Sequence, residues 1–156
     1  MINPDRCLSV FFCLVLTSAG VVAKPADCAG CHADEVEQWS ESQHAAAMAP
    51  ASPGSVSGDF SGATYSDDDL EVRFSRTENT YVIHTTEGRK TKQWTVRYTF
   101  GVYPLQQYLI DIGNGRLQAL NIAWDSRDEP EGGQRWFRLD QAGENHPGDA
   151  MHWTGI

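Results

Sequence analysis

A chain of 156 residues is the length of one domain. Its formal net charge of −9, from 12 Lys and Arg against 21 Asp and Glu, argues against nucleic acid and anionic membrane surfaces, which both demand clustered cations. Apolar residues at 40% suffice for one modest core and are too few for a membrane protein, while five Trp, five Tyr and six Phe do not describe a disordered chain. The first element is an apolar run, Leu8 to Ala19. Twelve residues are too few to span a bilayer, which takes roughly 20, and fit the h-region of a signal peptide. Arg6 supplies the positive flank, diluted by Asp5, and Val21-Val22-Ala23 puts small residues before a cleavage point. Cleavage after Ala23 makes residues 1–23 a signal peptide, predicts a periplasmic or otherwise exported product, and leaves no membrane span behind. An N-terminal anchor helix is the competing reading, and Lys24-Pro25-Ala26-Asp27 cuts the run short for it.

Cleavage changes the cysteine arithmetic. Cys7 and Cys13 leave with the signal, and Cys28 and Cys31 remain. A disulfide across two intervening residues would close too small a loop to staple anything. The pair stands in Cys28-Ala29-Gly30-Cys31-His32, the C-x-x-C-H pattern of covalent haem c attachment. Two thiols at this spacing reach two vinyl groups on one porphyrin edge, and the next residue falls under the iron as axial ligand, here His32. A redox dithiol expects a βαβ context and no obligate His. A zinc site needs a second ligand pair, and no further Cys remains. The predicted cofactor is therefore one haem c.

Ala33 to Met48 holds helix formers without Gly or Pro and is predicted as one helix, stopped by Pro50 and Pro53. Trp39 is expected against haem or core. His44 is a candidate axial ligand. It lies twelve residues beyond His32, about 18 Å along a straight helix. Two ligands of one iron hold their nitrogens only about 4 Å apart, given metal–His bonds near 2 Å. Either the chain bends back and His44 serves its own haem, or it serves a neighbouring one; an exposed helix-end histidine is the plain alternative. Met48 is a weaker candidate for the same role.

Residues 49–69 are rich in Ser, Gly, Ala, Pro and Asp and read as a linker. Asp67-Asp68-Asp69 is taken as a solvated turn rather than a calcium site. From Leu70 the period changes to two. Strands are predicted at Leu70–Ser75, Tyr81–Thr85, Trp94–Phe100, Tyr108–Ile112, Leu117–Trp124 and Trp136–Leu139, with a hairpin at Gly113-Asn114-Gly115. The expected fold is α+β: a short N-terminal haem-binding helical segment over 24–48, the linker, and an antiparallel β domain of five or six strands over 70–156. No nucleotide loop, Ser-His-Asp spacing or H-E-x-x-H is present. His84 reads as structural, and His146 as an exposed loop residue.

Several blocks resemble a known family: the haem motif, Trp39 to Met48, Gly58-Asp59-Phe60, Tyr98 to Tyr108, Gly115 to Asp125, Gly132 to Phe137 and His152-Trp153-Thr154-Gly155. The chain is similar to the N-terminal part of multihaem c-type cytochromes with a cytochrome c-552/4-like domain, of the kind that continue into tetratricopeptide repeats. The resemblance implies that His44 is a haem axial ligand. In that family another C-x-x-C-H soon follows the His-Trp-Thr-Gly segment, whereas this sequence stops at Ile156. The expectation is a truncated or split product, with His152 a weak candidate ligand for a missing second haem.

The predicted function is an exported electron carrier whose redox partners are proteins, chiefly other haem proteins, and not nucleic acid. Two alternatives stand beside it. One is a fragment of a multihaem reductase, the form an enzyme would take; the other is a haem-based sensor or docking subunit.

Overall fold

The alternation of apolar and polar residues after Leu70 dominates the architecture. A computed structural model describes residues 24–68 and 70–139. The signal-peptide reading of 1–23 and the readings of His146 and His152 lie outside the described residues. The chain divides into two compact units, Met1–Val36 and Glu37–Ile156.

In the first unit, Pro25 opens the short helix α1 (Pro25–Cys28), a position where its missing N–H costs nothing. The Asp27 carboxylate accepts the backbone N–H of Lys24 at 2.8 Å. No described residue of this unit is buried.

The expected single helix from Ala33 to Met48 is in fact two, α2 (Ala33–Ser40) and α3 (Gln43–Ala46). Serine chemistry explains the break. Ser40 Oγ donates to the Glu37 carbonyl at 2.8 Å, and Ser42 Oγ donates to the Trp39 carbonyl at 2.6 Å. These hydroxyls take carbonyls that end the helical ladder, and Ser42 adopts an extended backbone. Trp39 is exposed and belongs to no core.

In the second unit the described residues form eight strands: β1 (Ser61–Ser66), β2 (Leu70–Thr77), β3 (Thr80–Glu87), β4 (Lys90–Phe100), β5 (Leu105–Gly113), β6 (Arg116–Ala119), β7 (Ile122–Asp125) and β8 (Arg135–Arg138). All pairings are antiparallel, in the order β1-β2-β3-β4-β5-β7-β8, with β6 also on β5. The sheet curls into a nearly closed barrel. At the seam, Arg138 on β8 pairs with Asp67 beyond β1 at 3.2 Å, and Trp136 Nε1 donates to the Asp59 carbonyl at 3.3 Å.

This corrects the α+β expectation of a helical segment plus five or six strands: the protein is mostly antiparallel sheet with little helix. Two physical reasons account for the miss. β1 is Ser-Gly-Ala-Thr-Tyr-Ser, whose small polar residues read as loop; pairing with β2 makes it a strand, and only Ala63 and Tyr65 reach the core. Leu117–Trp124 was expected as one strand, but it bends at Leu120-Asn121 into β6 and β7, both on β5. The Asn114-Gly115 hairpin forms as expected, with positive φ of 54° and 73° that a tight two-residue turn requires.

The barrel interior is aromatic. Phe60 meets Phe74, Tyr81, Tyr108 and Trp136 edge to face at 5.0–5.6 Å between ring centroids, and Phe74 stacks on Trp136 at 3.5 Å. Each such pair contributes about 0.5–1.5 kcal/mol beyond area burial. Just before Phe60, Gly58 sits so close that a Cβ would stand 2.6 Å from both Trp136 and the Tyr108 hydroxyl. Gln106 ties the loop down: its Oε1 accepts from Ser57 N at 2.8 Å and from the Tyr108 hydroxyl at 2.7 Å, and its Nε2 donates to the Ser55 carbonyl at 2.9 Å. Burial holds the Tyr108 phenol well above its ordinary range.

Candidate haem site

In the first unit the two cysteines occupy one helical turn. The backbone N–H groups of Cys31 and His32 both donate to the Cys28 carbonyl, at 3.1 and 3.0 Å. Residues three apart on such a turn face the same way, so both thiols present to one side. Both are free and exposed. His32 follows directly, and its carbonyl accepts Val36 N at 3.0 Å, which starts α2. The His32 side chain is 68% exposed, with Nδ1 4.0 Å from Glu35 Oε2. That is beyond a hydrogen bond. Two accessible thiols and an adjacent accessible imidazole fit the donor set of a covalently held haem. Among the described residues no group of three or more His, Cys, Asp or Glu is disposed to hold a bare metal ion.

In the second unit His44 lies on α3, and β4 fixes that helix in place. β3 pairs with β4 only as far as Thr95. The same edge of β4 is taken further on by the segment after α3: Ala51 N donates to the Arg97 carbonyl at 2.9 Å, Thr99 N to the Ala49 carbonyl at 2.9 Å, and Gly101 N to the Ala47 carbonyl at 2.8 Å. A helix of four residues has no stability of its own; these bonds supply its position. His44 and Ala47 then face Val102, Tyr103 and Leu105 across an open cleft of about 200 Å³. No hydrogen bond or ion pair of the His44 ring is present among the described residues. Met48 is 57% exposed and does not line this cleft.

The 101–105 loop opposite His44 is held at both ends. Ser126 Oγ donates to the Val102 carbonyl at 2.9 Å, and Ser126 N to the Pro104 carbonyl at 2.8 Å. Gly101 has φ +87°, and a Cβ there would meet the Leu105 carbonyl oxygen at 2.7 Å. Tyr103 in this loop stands 52% exposed, and Phe100, the last residue of β4, is exposed as well. Nothing in the sequence pattern marks these loop residues beyond their place in the block Tyr98 to Tyr108.

A larger cleft of about 410 Å³ lies at Pro53, Asp59, Phe60, Arg76 and Tyr81. It holds no imidazole or thiol. Its Asp59 carboxylate is engaged by the Ser61 hydroxyl and amide, which lower its pKa, and Arg76 reaches the Tyr81 hydroxyl at 3.4 Å. His84, on β3 opposite Arg73 and Gln93, is half-buried in the sheet. Asp67 is a structural anchor, accepting from Leu70 N at 3.0 Å and from Arg138.

The Cys28–His32 turn has the residue types and spacing of a haem attachment motif, and the comparison with protein families points the same way. Residues 27–103, just under half of the chain, match the family described as cytochrome c554 and c-prime. The match runs from the attachment turn through His44 to Tyr103, and it supports a c-type cytochrome domain with haem c as its group and electron transfer as its chemistry. No curated protein and no solved structure matches the chain. Among the described residues no helix is long and apolar enough to cross a membrane.

Proposed function

We propose that the chain is an exported c-type cytochrome that carries one covalent haem on Cys28 and Cys31 and transfers electrons. The observation that carries this reading is the attachment turn itself, with both thiols free on one exposed helical turn and an imidazole next in sequence. In this reading each thiol adds its S–H across a vinyl double bond, sulfur to one carbon and hydrogen to the other, so attachment needs no oxidant. His32 supplies one axial nitrogen. The haem iron supplies the one-electron redox chemistry; the protein supplies ligands and surroundings. His44 is the proposed second ligand, on the chain's own haem or on a neighbour's. Its place in the cleft favours it over Met48. Two imidazoles would hold the potential below that of a His/Met pair. The net charge of −9 suits a basic redox partner.

The test is an absorption spectrum of the exported protein. A low-spin, six-coordinate spectrum that becomes high-spin on His44→Ala supports ligation of the chain's own haem. A change seen only in a complex with a second haem protein supports ligation of the neighbour's. A spectrum unaltered in both would make His44 an ordinary surface histidine.

A further inference from the structure

We infer that the cleft between the 53–61 segment and strands β2 and β3 binds a small ω-amino carboxylate, its carboxylate on Arg76 and Tyr81, its ammonium on Asp59 and its methylenes against the Phe60 and Tyr81 rings. The site lies wholly in the second unit and uses no proposed haem ligand, so it stands apart from the reading of the chain as a haem protein. Its volume of about 410 Å³ falls in the range of small-molecule sites, which set a few polar groups in an apolar lining. Here that lining is Phe60 and Tyr81, edge to face with ring centroids 5.0 Å apart, with Pro53 and Val56. It is formed in advance, because Gly58 N donates to the Tyr108 hydroxyl at 2.9 Å and Gln106 holds Ser55 and Ser57.

Three polar groups are left incomplete. Arg76 is exposed, and among the described residues its guanidinium meets only Tyr81, with Nη1 3.4 Å from the hydroxyl and the charge 5.8 Å from the ring centroid. Most of its donor fork is open to an incoming carboxylate. Tyr81 is 3% exposed, and its hydroxyl accepts from Arg76 while its own proton goes to no acceptor among the described residues. A buried donor without an acceptor is costly, and a ligand oxygen beside Arg76 meets it. Asp59 carries the opposite charge. Its Oδ1 accepts from the amide and the hydroxyl of Ser61, which keep it ionised, and its Oδ2 has no partner among the described residues. Asp59 and Arg76 line one cleft yet form no ion pair with each other. A ligand that answers both charges at once carries an anion and a cation separated by apolar carbons.

Titration calorimetry of the exported protein with γ-aminobutyrate, butyrate and butylamine tests this. The expected result is saturable one-site binding of γ-aminobutyrate, tighter than that of either single-ended analogue. Arg76→Gln should weaken γ-aminobutyrate and butyrate about tenfold and leave butylamine unchanged. Asp59→Asn should weaken γ-aminobutyrate and butylamine about tenfold and leave butyrate unchanged. Tyr81→Phe keeps the ring and should follow Arg76→Gln in direction. If Tyr81→Phe fails to fold, the crossed pattern of the two exposed variants decides alone. Arg89→Gln, at an exposed cation outside the cleft, should alter nothing. No binding of γ-aminobutyrate overturns the proposal. So does binding that ignores Arg76→Gln and Asp59→Asn, that falls equally with Arg89→Gln, or that is lost for all three probes in either exposed variant.

Discussion

The unit ending at Val36 and the unit beginning at Glu37 solve different problems. No described residue of the first is buried, and its thiols and imidazole are presented to solvent. The second wraps an eight-stranded sheet around packed aromatics and carries His44 on an element fixed by sheet hydrogen bonding. The Cys28–His32 turn is therefore exposed and free to take a ligand, as proposed, and the barrel derives its order from its own core. Covalent attachment, which rests on Cys28 and Cys31, and barrel packing can therefore be probed by different substitutions, while His44, in the second unit, is proposed to act on haem.

The sharpest way to break that separation is Cys28→Ser with Cys31→Ser. The expected outcome is complete loss of covalent haem on a haem-stained denaturing gel, with the barrel's far-ultraviolet circular dichroism unchanged. Collapse of the sheet signal would show that the barrel depends on the haem. The converse variant is Phe60→Ala. It removes the ring at the centre of four edge-to-face contacts, and should cost about 3–5 kcal/mol in urea unfolding. Thioether attachment in the folded fraction should be intact. Gly58→Ala should cost less, about 1–3 kcal/mol, because its Cβ must push Trp136 and Tyr108 aside; an unchanged midpoint would mean that loop and rings shift freely.

The smallest effect is pH-dependent. Arg127 holds Asp125 by hydrogen bonds at 3.0 and 2.6 Å, and these lower the carboxyl from 3.8 to about 2. A carboxyl lowered in the folded state stabilises it above the unfolded value and loses that contribution as pH falls. Wild type should therefore exceed Asp125→Asn in stability at pH 7, and the gap should shrink between pH 4 and pH 2. A gap that is constant with pH in urea midpoints would remove the ion pair from the account.

Legibility in the sequence followed the range of the forces. The C-x-x-C-H pattern lies in five consecutive residues, so Cys28 to His32 stand out in the sequence as the candidate attachment site. Strands β2 to β5 showed in their period-two pattern because each has one face in the core. β1 was invisible because its small polar residues gain strand structure only from the β2 edge. The helix break at Glu41-Ser42 was missed because serine hydroxyls compete for carbonyls without altering composition. The cleft shared by His44, Tyr103 and Leu105 was not legible, because it forms only when the segment following α3 docks on β4, a pairing between residues some fifty positions apart.

The central claim is covalent haem on the attachment turn, and intact mass spectrometry of the wild-type protein, exported from cells able to mature c-type cytochromes, tests it most directly. The expected mass is that of residues 24–156 plus one haem, with no thiol left to alkylate. A chain of unmodified mass with two alkylatable thiols would contradict it.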